Sequence, residues 1–258
     1  MSTKALIILS GGQDSTTCLY WAKKKFDEVH AITFDYGQRH KAEIAAARSV
    51  AQLAGVASHQ VLEVGSILRG SSPLVSNNSL EQYSGMYALP GGLEKTFVPG
   101  RNLLFLTLAA NHAYALGITD LVTGVCQEDY GGYPDCRAIF INLARDTLAA
   151  GLAYDDNDPF KNIQIHTPLM FLSKAESVKL AKELGDECWA ALRYTHTAYD
   201  GQYPPVGSDH ATLLRAKGFY EAGLPDPLVL RAFEEGLMEL PDTDNYNEVR
   251  ESYRNVRG

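Results

Sequence analysis

The residues best suited to chemistry stand near the start of the chain, where Ser10-Gly11-Gly12-Gln13-Asp14-Ser15-Thr16 interrupts an apolar run. Glycines allow a tight turn with positive φ and bring peptide N–H groups against a ligand with no Cβ in the way. The amides of Gly11 and Gly12, the hydroxyls of Ser10, Ser15 and Thr16, and the positive end of a following helix together suit an anion. The stretch lacks a Gly-Lys-Ser/Thr ending and does not fit Gly-x-Gly-x-x-Gly. Neither an ordinary P-loop NTPase nor a Rossmann dehydrogenase is therefore favoured.

Elements must position this loop. Ile7-Ile8-Leu9 reads as a buried strand before it, and Cys18, Leu19 and Ala22 return at helical spacing after it. Residues 29–35 read as a second strand, delivering Tyr36, Gln38, Arg39 and His40 past its carboxyl end, where ligands sit in open α/β sheets. A helix over 41–53 closed by Gly55 and a strand over 58–64 follow. Residues 65–95, rich in Ser, Asn, Gly and Pro, read as a long loop or lid. An alanine-bearing helix over 103–115, buried on more than one side, leads to a strand over 120–125. That strand delivers acids, tyrosines, thiols and an arginine within 126–137. A helix over 138–152, a short strand at 164–167, and a helix capped by Ser173, begun by Lys174 and stopped by Gly185 complete the alternation. The expected fold is α/β, a doubly wound parallel sheet over 1–188, with a small C-terminal helical lobe and tail over 189–258.

Composition narrows the class. The 258 residues are 45% hydrophobic and 21% charged with a net charge of −8, ordinary for a globular protein and unfavourable for broad nucleic-acid binding. No apolar run approaches the roughly 20 residues needed to cross a bilayer, and a cytoplasmic protein is expected. Cys18, Cys126, Cys136 and Cys188 form no Cys-x-x-Cys pair, so packing roles are expected.

Ser-Gly-Gly-x-Asp-Ser resembles the pyrophosphate loop of the N-type ATP pyrophosphatases (the adenine nucleotide alpha hydrolase-like fold), which adenylate a substrate oxygen. Segments 10–18, 36–40, 97–102, 126–137, 166–176 and 214–219 together resemble the 7-cyano-7-deazaguanine synthases of the queuosine pathway, in order over residues 4–220. The resemblance implies ATP-dependent activation of the carboxylate of 7-carboxy-7-deazaguanine, attack by ammonia to give an amide, and a second activation that dehydrates it to the nitrile. Adenylation turns a carboxylate oxygen into a leaving group, so the enzyme must align reactants, neutralise the leaving pyrophosphate and exclude water.

Residues can be assigned to those tasks. Ser10, Gly11, Gly12, Ser15 and Thr16 hold the pyrophosphate portion of ATP, and Asp14 positions Mg²⁺ or the loop, or caps the helix. Lys174 stabilises phosphate charge. Arg39 and Arg101 suit phosphate or the substrate carboxylate, or serve as structural ion-pair partners. Tyr36, Gln38, Gln127, Glu128, Asp129, Tyr133, Asp135 and Arg137 are candidates for the deazaguanine, whose amino and ring N–H groups suit carboxylates and whose plane suits tyrosine. Asp135 and Arg137 can also pair with each other. His40 and His166 read as structural.

The synthases usually carry four zinc-binding cysteines before the Leu-Arg-Ala-Lys-Gly-Phe segment. Here Ala198, Val206, Asp209 and Thr212 take their places, and no zinc is expected. The acceptor therefore stays open between ammonia and, as in synthase-like antiphage-defence relatives, an amine of a partner protein. A noncatalytic nucleotide-binding protein is a further alternative, and a homodimer is compatible with any of these.

Overall fold

Ala5, Leu6 and Ile7 are all fully buried, as in a strand covered on both faces. In the computed structural model, which describes residues 3–257 except 39–40, 66, 69, 71, 77, 90–92 and 128–131, they form β1 (Lys4–Ile8) at the centre of a five-stranded sheet. Its partners are β2 (Glu28–Asp35), β3 (Ser58–Glu63), β4 (Asp120–Val122) and β5 (Gln164–His166). The order is β3-β2-β1-β4-β5, and every pair is parallel. The chain steps outward from β1 to β3 and then returns to the other side of β1 as β4. The carboxyl ends of β1 and β4 therefore flank the switch point, where such sheets bind ligands.

Strand alternation distributes the core between two faces. Ala5, Ile7, Val29, Ala31 and Val122 meet α1 (Gln13–Lys25), α2 (Ala42–Ala54), α5 (Lys174–Glu183) and α6 (Asp186–Ala191). Leu6, Ile32, Phe34 and Leu121 meet α3 (Arg101–Leu116), whose Ala109, Ala110 and Ala113 lie at helical spacing, while α4 (Ala138–Leu152) packs beside it. The sheet is doubly wound, as its sequence pattern predicts. α3 touches two buried clusters but leaves Leu103, Tyr114 and Leu116 exposed, so it is less enclosed than its apolar composition predicts.

β4 ends at Val122, short of the predicted 125, because the next residues turn toward α1. A Cβ on Gly124 would stand 3.0 Å from the Ser15 nitrogen, so the glycine lets this backbone run close against α1. The described residues of 65–95 contain no helix or strand. They dock instead by hydrogen bonds: Tyr83 N–H donates to the Ser208 carbonyl at 2.9 Å, and its hydroxyl donates to buried Glu94 at 3.1 Å.

The C-terminal part adds α7 (His210–Ala222), α8 (Pro227–Glu234) and α9 (Asn247–Arg257). The boundary expected between 188 and 189 falls inside α6, and Phe219 of α7 is fully buried in the same cluster as β1. Arg215 and Asp226, both 2% exposed, join α7 to the start of α8. Among the described residues no helix is long and apolar enough to cross a membrane.

Candidate active site

The chain leaves β1 through a turn with Gly11 at φ +85°, a conformation that favours glycine. A Cβ there would lie 2.3 Å from the Glu43 carbonyl oxygen and 2.6 Å from the Ala47 nitrogen, so this glycine lets α2 approach the loop. Its carbonyl accepts from the His196 N–H at 2.9 Å. Gly12 is the N-cap of α1, and its carbonyl accepts from the Thr16 N–H at 3.1 Å.

The hydroxyls mostly hold the loop itself. Thr16 is fully buried and donates to the Gly12 carbonyl at 2.8 Å, while Ser15 donates to the same carbonyl at 3.1 Å. Ser15 also accepts from the Ser10 N–H at 3.2 Å and shares a 3.0 Å contact with the Ser10 hydroxyl. Thr16 and Gly11 do not line the cavity at the loop. The Thr16 hydroxyl is engaged with the Gly12 carbonyl, since a buried carbonyl needs a donor.

The cavity, about 350 Å³, opens at the carboxyl ends of the strands. Ser10, Gly12, Asp14, Ser15 and Lys174 line it from the side of α1 and α5. Local sequence explains Lys174: Ser173 accepts from the Glu176 N–H, and Glu176 accepts from the Ser173 N–H at 2.7 Å, a reciprocal cap that starts α5 at Lys174. The ammonium donates to Asp14 Oδ2 at 2.7 Å. A carboxylate and an ammonium thus meet at two helix N-termini that both border the cavity, a setting that favours a bound anion.

Tyr36, Gln38, Arg101 and Tyr133 line the cavity from elements on the other face of the sheet. Arg101 begins α3 after Gly100. Burial opposes its charge, but Tyr36, Tyr133, Tyr199 and Glu43 around it raise its pKa further, leaving a permanent cation in an aromatic surround. Burial likewise pushes the Tyr36 and Tyr133 phenols up, with Arg101 pulling the other way, and Tyr133 shares a 2.6 Å hydrogen bond with Thr96. Gln38 accepts from the Tyr36 N–H at 2.9 Å, fixing the end of β2.

Other candidates lie outside the cavity. Gln127 Oε1 accepts from the Ala138 N–H at 3.1 Å, completing the start of α4. Arg137 is exposed at the N-cap position of α4. Asp135 is 8% exposed and accepts from the Asn102 N–H at 3.3 Å, so it braces the start of α3 from behind while Asn102 faces the cavity. Arg39, His40, Glu128 and Asp129 lie outside the described residues. His166 meets Asp120 at 2.7 Å and packs on Trp21 and Phe26, in keeping with a structural role.

The structure adds lining residues that sequence reasoning missed. Glu43 comes from the first turn of α2, its carboxyl pushed up by burial while Arg101 pulls it down. His196, Thr197 and Tyr199 come from beyond the sheet, and Ala211, Leu214 and Arg215 from α7. The spacing 211, 214, 215 is a helical face, a signal visible in residues 211–219 without any indication of what it faces.

Residues 4–223 match the family described as queuosine biosynthesis protein QueC. The chain belongs to the QueC family. It is 51% identical to a 7-cyano-7-deazaguanine synthase from Gloeobacter violaceus, over 87% of this chain and 95% of that one. Against the 7-cyano-7-deazaguanine synthases of Chromobacterium violaceum and Laribacter hongkongensis it is 48% and 47% identical, over 90% and 88% of its own length and 95% and 94% of theirs.

This QueC-family chain has no donor set for tetrahedral zinc at 198, 206, 209 and 212. Ala198 is buried and Val206 is 60% exposed, and neither is a ligand. Asp209 caps α7 by accepting from the Ala211 and Thr212 N–H groups, and the Thr212 hydroxyl donates to its other oxygen at 2.7 Å. These side chains are engaged with one another and with the helix end.

Proposed function

We propose that the chain is an ATP-dependent C–N ligase that converts 7-carboxy-7-deazaguanine to 7-cyano-7-deazaguanine, with ammonia as the nitrogen donor. The observation that carries this reading, beside family membership, is one cavity shared by two cation-bearing walls: Lys174 with the Ser10–Gly12 turn, and Arg101 among three tyrosines. Acyl adenylation needs phosphate and carboxylate side by side, and a wall for each anion meets that need.

The residues divide the work. Ser10 and Gly12 cradle the triphosphate, and Lys174 neutralises charge on the departing pyrophosphate while Asp14 holds the ammonium in place. Asp14 would help hold magnesium, which when bound would supply further charge neutralisation. Arg101 holds the carboxylate in its aromatic surround, and Tyr36 and Tyr133 offer rings to the deazaguanine plane. Arg39, Asp129, Gln127 and Arg137 stay assigned to nucleotide or substrate binding only through residue type. Asp135 acts through Asn102.

Each activation transfers AMP to a substrate oxygen and releases pyrophosphate. Ammonia displaces the first AMP to give the amide; loss of the second AMP and two protons gives the nitrile. The C-terminal lobe performs its part without zinc, held by the Asp209–Thr212 cap and the Arg215–Asp226 pair, and the protein works in the cytoplasm, as a homodimer. Sedimentation equilibrium tests the last point. Incubation with ATP, Mg²⁺, ammonium and the acid should release AMP and yield the nitrile by mass spectrometry. No AMP with any amine would overturn the ligase reading, and a deazaguanine mass attached to a protein would reassign the acceptor.

A further inference from the structure

Glycine is a poor helix former, yet Gly218 sits in the interior of α7 and is buried. An interior glycine of this kind has a packing or functional reason. A Cβ built on it would stand 2.5 Å from Lys174 Cγ, 3.1 Å from Lys174 Cβ and 3.4 Å from the Lys174 carbonyl carbon. The groove left by the missing side chain is occupied by the stem of Lys174, whose ammonium meets Asp14 at 2.7 Å in the cavity wall.

Both backbones are anchored. α7 is capped by Asp209 at one end and closed by Gly223 with φ +70° at the other. Between them Phe219 is fully buried in the sheet core, and Arg215 bonds Asp226 twice, at 2.6 and 2.8 Å, and the Thr195 and Thr197 hydroxyls at 2.8 and 2.9 Å. α5 is fixed at Lys174 itself by the reciprocal Ser173–Glu176 cap. The soft coordinate is the Lys174 side chain. Because the close atoms are Cγ and Cβ, relief requires rotation near the root of the stem, which swings the ammonium off Asp14.

We propose that Gly218 is a positioning residue for the ATP site: its bare Cα makes the slot through which Lys174 lies against α7 and reaches Asp14. The inference rests on the cavity wall being the phosphate site, as read above, and places part of that site's geometry in the C-terminal lobe. Gly218 touches no substrate and acts only through Lys174.

Isothermal titration of inorganic pyrophosphate with Mg²⁺ tests it without the deazaguanine. Gly218→Ala should weaken pyrophosphate binding about tenfold, the scale of one misplaced charged hydrogen bond. In a Lys174→Ala background, where the crowded Cγ is gone, Gly218→Ala should change the affinity less than about twofold. Equal affinity of wild type and Gly218→Ala, or full additivity of the two changes, overturns the proposal. If Gly218→Ala alone fails to fold, the double variant should still fold and melt no lower than Lys174→Ala. A double variant that also fails shows that the glycine serves something other than Lys174. Wild-type protein that does not bind pyrophosphate would overturn the phosphate reading and this role with it, an outcome distinct from loss of the Gly218 role alone.

Discussion

Asp14 and Lys174, 160 residues apart in the chain, meet at 2.7 Å where the first turns of α1 and α5 converge on the cavity. Lys174→Met keeps the stem and removes the charge. It should lower kcat/KM for ATP about a hundredfold, as loss of a preorganised donor to developing charge does, with little change in melting temperature. AMP release measured against ATP concentration checks this; wild-type kinetics would remove Lys174 from the phosphate site.

Asp226 serves three elements at once. It accepts from Arg215, caps α8 through the Leu228 N–H at 2.9 Å, and its own N–H donates to the Tyr246 hydroxyl at 3.2 Å. Both charged side chains of the Arg215 pair are 3% exposed, so Asp226→Asn leaves a buried guanidinium half-paired. The expected loss is about 3 kcal/mol of folding stability by urea denaturation, the low end for breaking one side of a buried pair. Because Arg215 also holds Thr195 and Thr197 around His196, whose N–H caps the Gly11 carbonyl, ATP affinity should fall as well.

Cysteine reactivity follows burial. Burial raises the Cys18 thiol well above its ordinary range, with Asp14 adding to the effect, and pushes the Cys188 thiol up to about 12. Since the thiolate is the nucleophile, neither should react with iodoacetamide at pH 8 in the folded protein, and both should react in denaturant. Peptide mapping by mass spectrometry reads each site; rapid native labelling of Cys18 would contradict its burial on α1.

Asp135 gives a pH signature. Burial raises its pKa above the ordinary aspartate value, outweighing the Asn102 N–H that pulls it down. The folded state then binds the proton better than the unfolded state, so the carboxyl's stabilising contribution is full below the ordinary range and lost as pH rises through the folded value. Wild type should lose more stability than Asp135→Asn between about pH 4 and neutrality. Parallel denaturation curves across that range would show that the carboxyl is not desolvated.

Much of this was legible where the signal is local. Gly55 closes α2 with φ +61°, as its position after an amphipathic run predicts, and Ser173 and Glu176 close the cap on α5. The candidate site was legible as residue types more than as roles. Gln127 and Asp135 have the chemistry to read a base, but each also accepts from a backbone N–H at the start of a helix. A backbone N–H without a partner competes for any nearby acceptor, and sequence spacing does not show which wins.

The sequence by itself determined the order of strands and helices, the glycine turn after β1 and the lysine at the head of α5, because strand alternation, helical spacing and caps are encoded within a few residues of one another. Only the tertiary structure decided that Thr16 and Gly11 face inward, that Arg101 sits among Tyr36, Tyr133 and Tyr199, and that α7 borders the site with Arg215 and Gly218 on one side. Those outcomes depend on contacts between segments far apart in the chain, set by how two helix layers close over one sheet, and no local period carries that information.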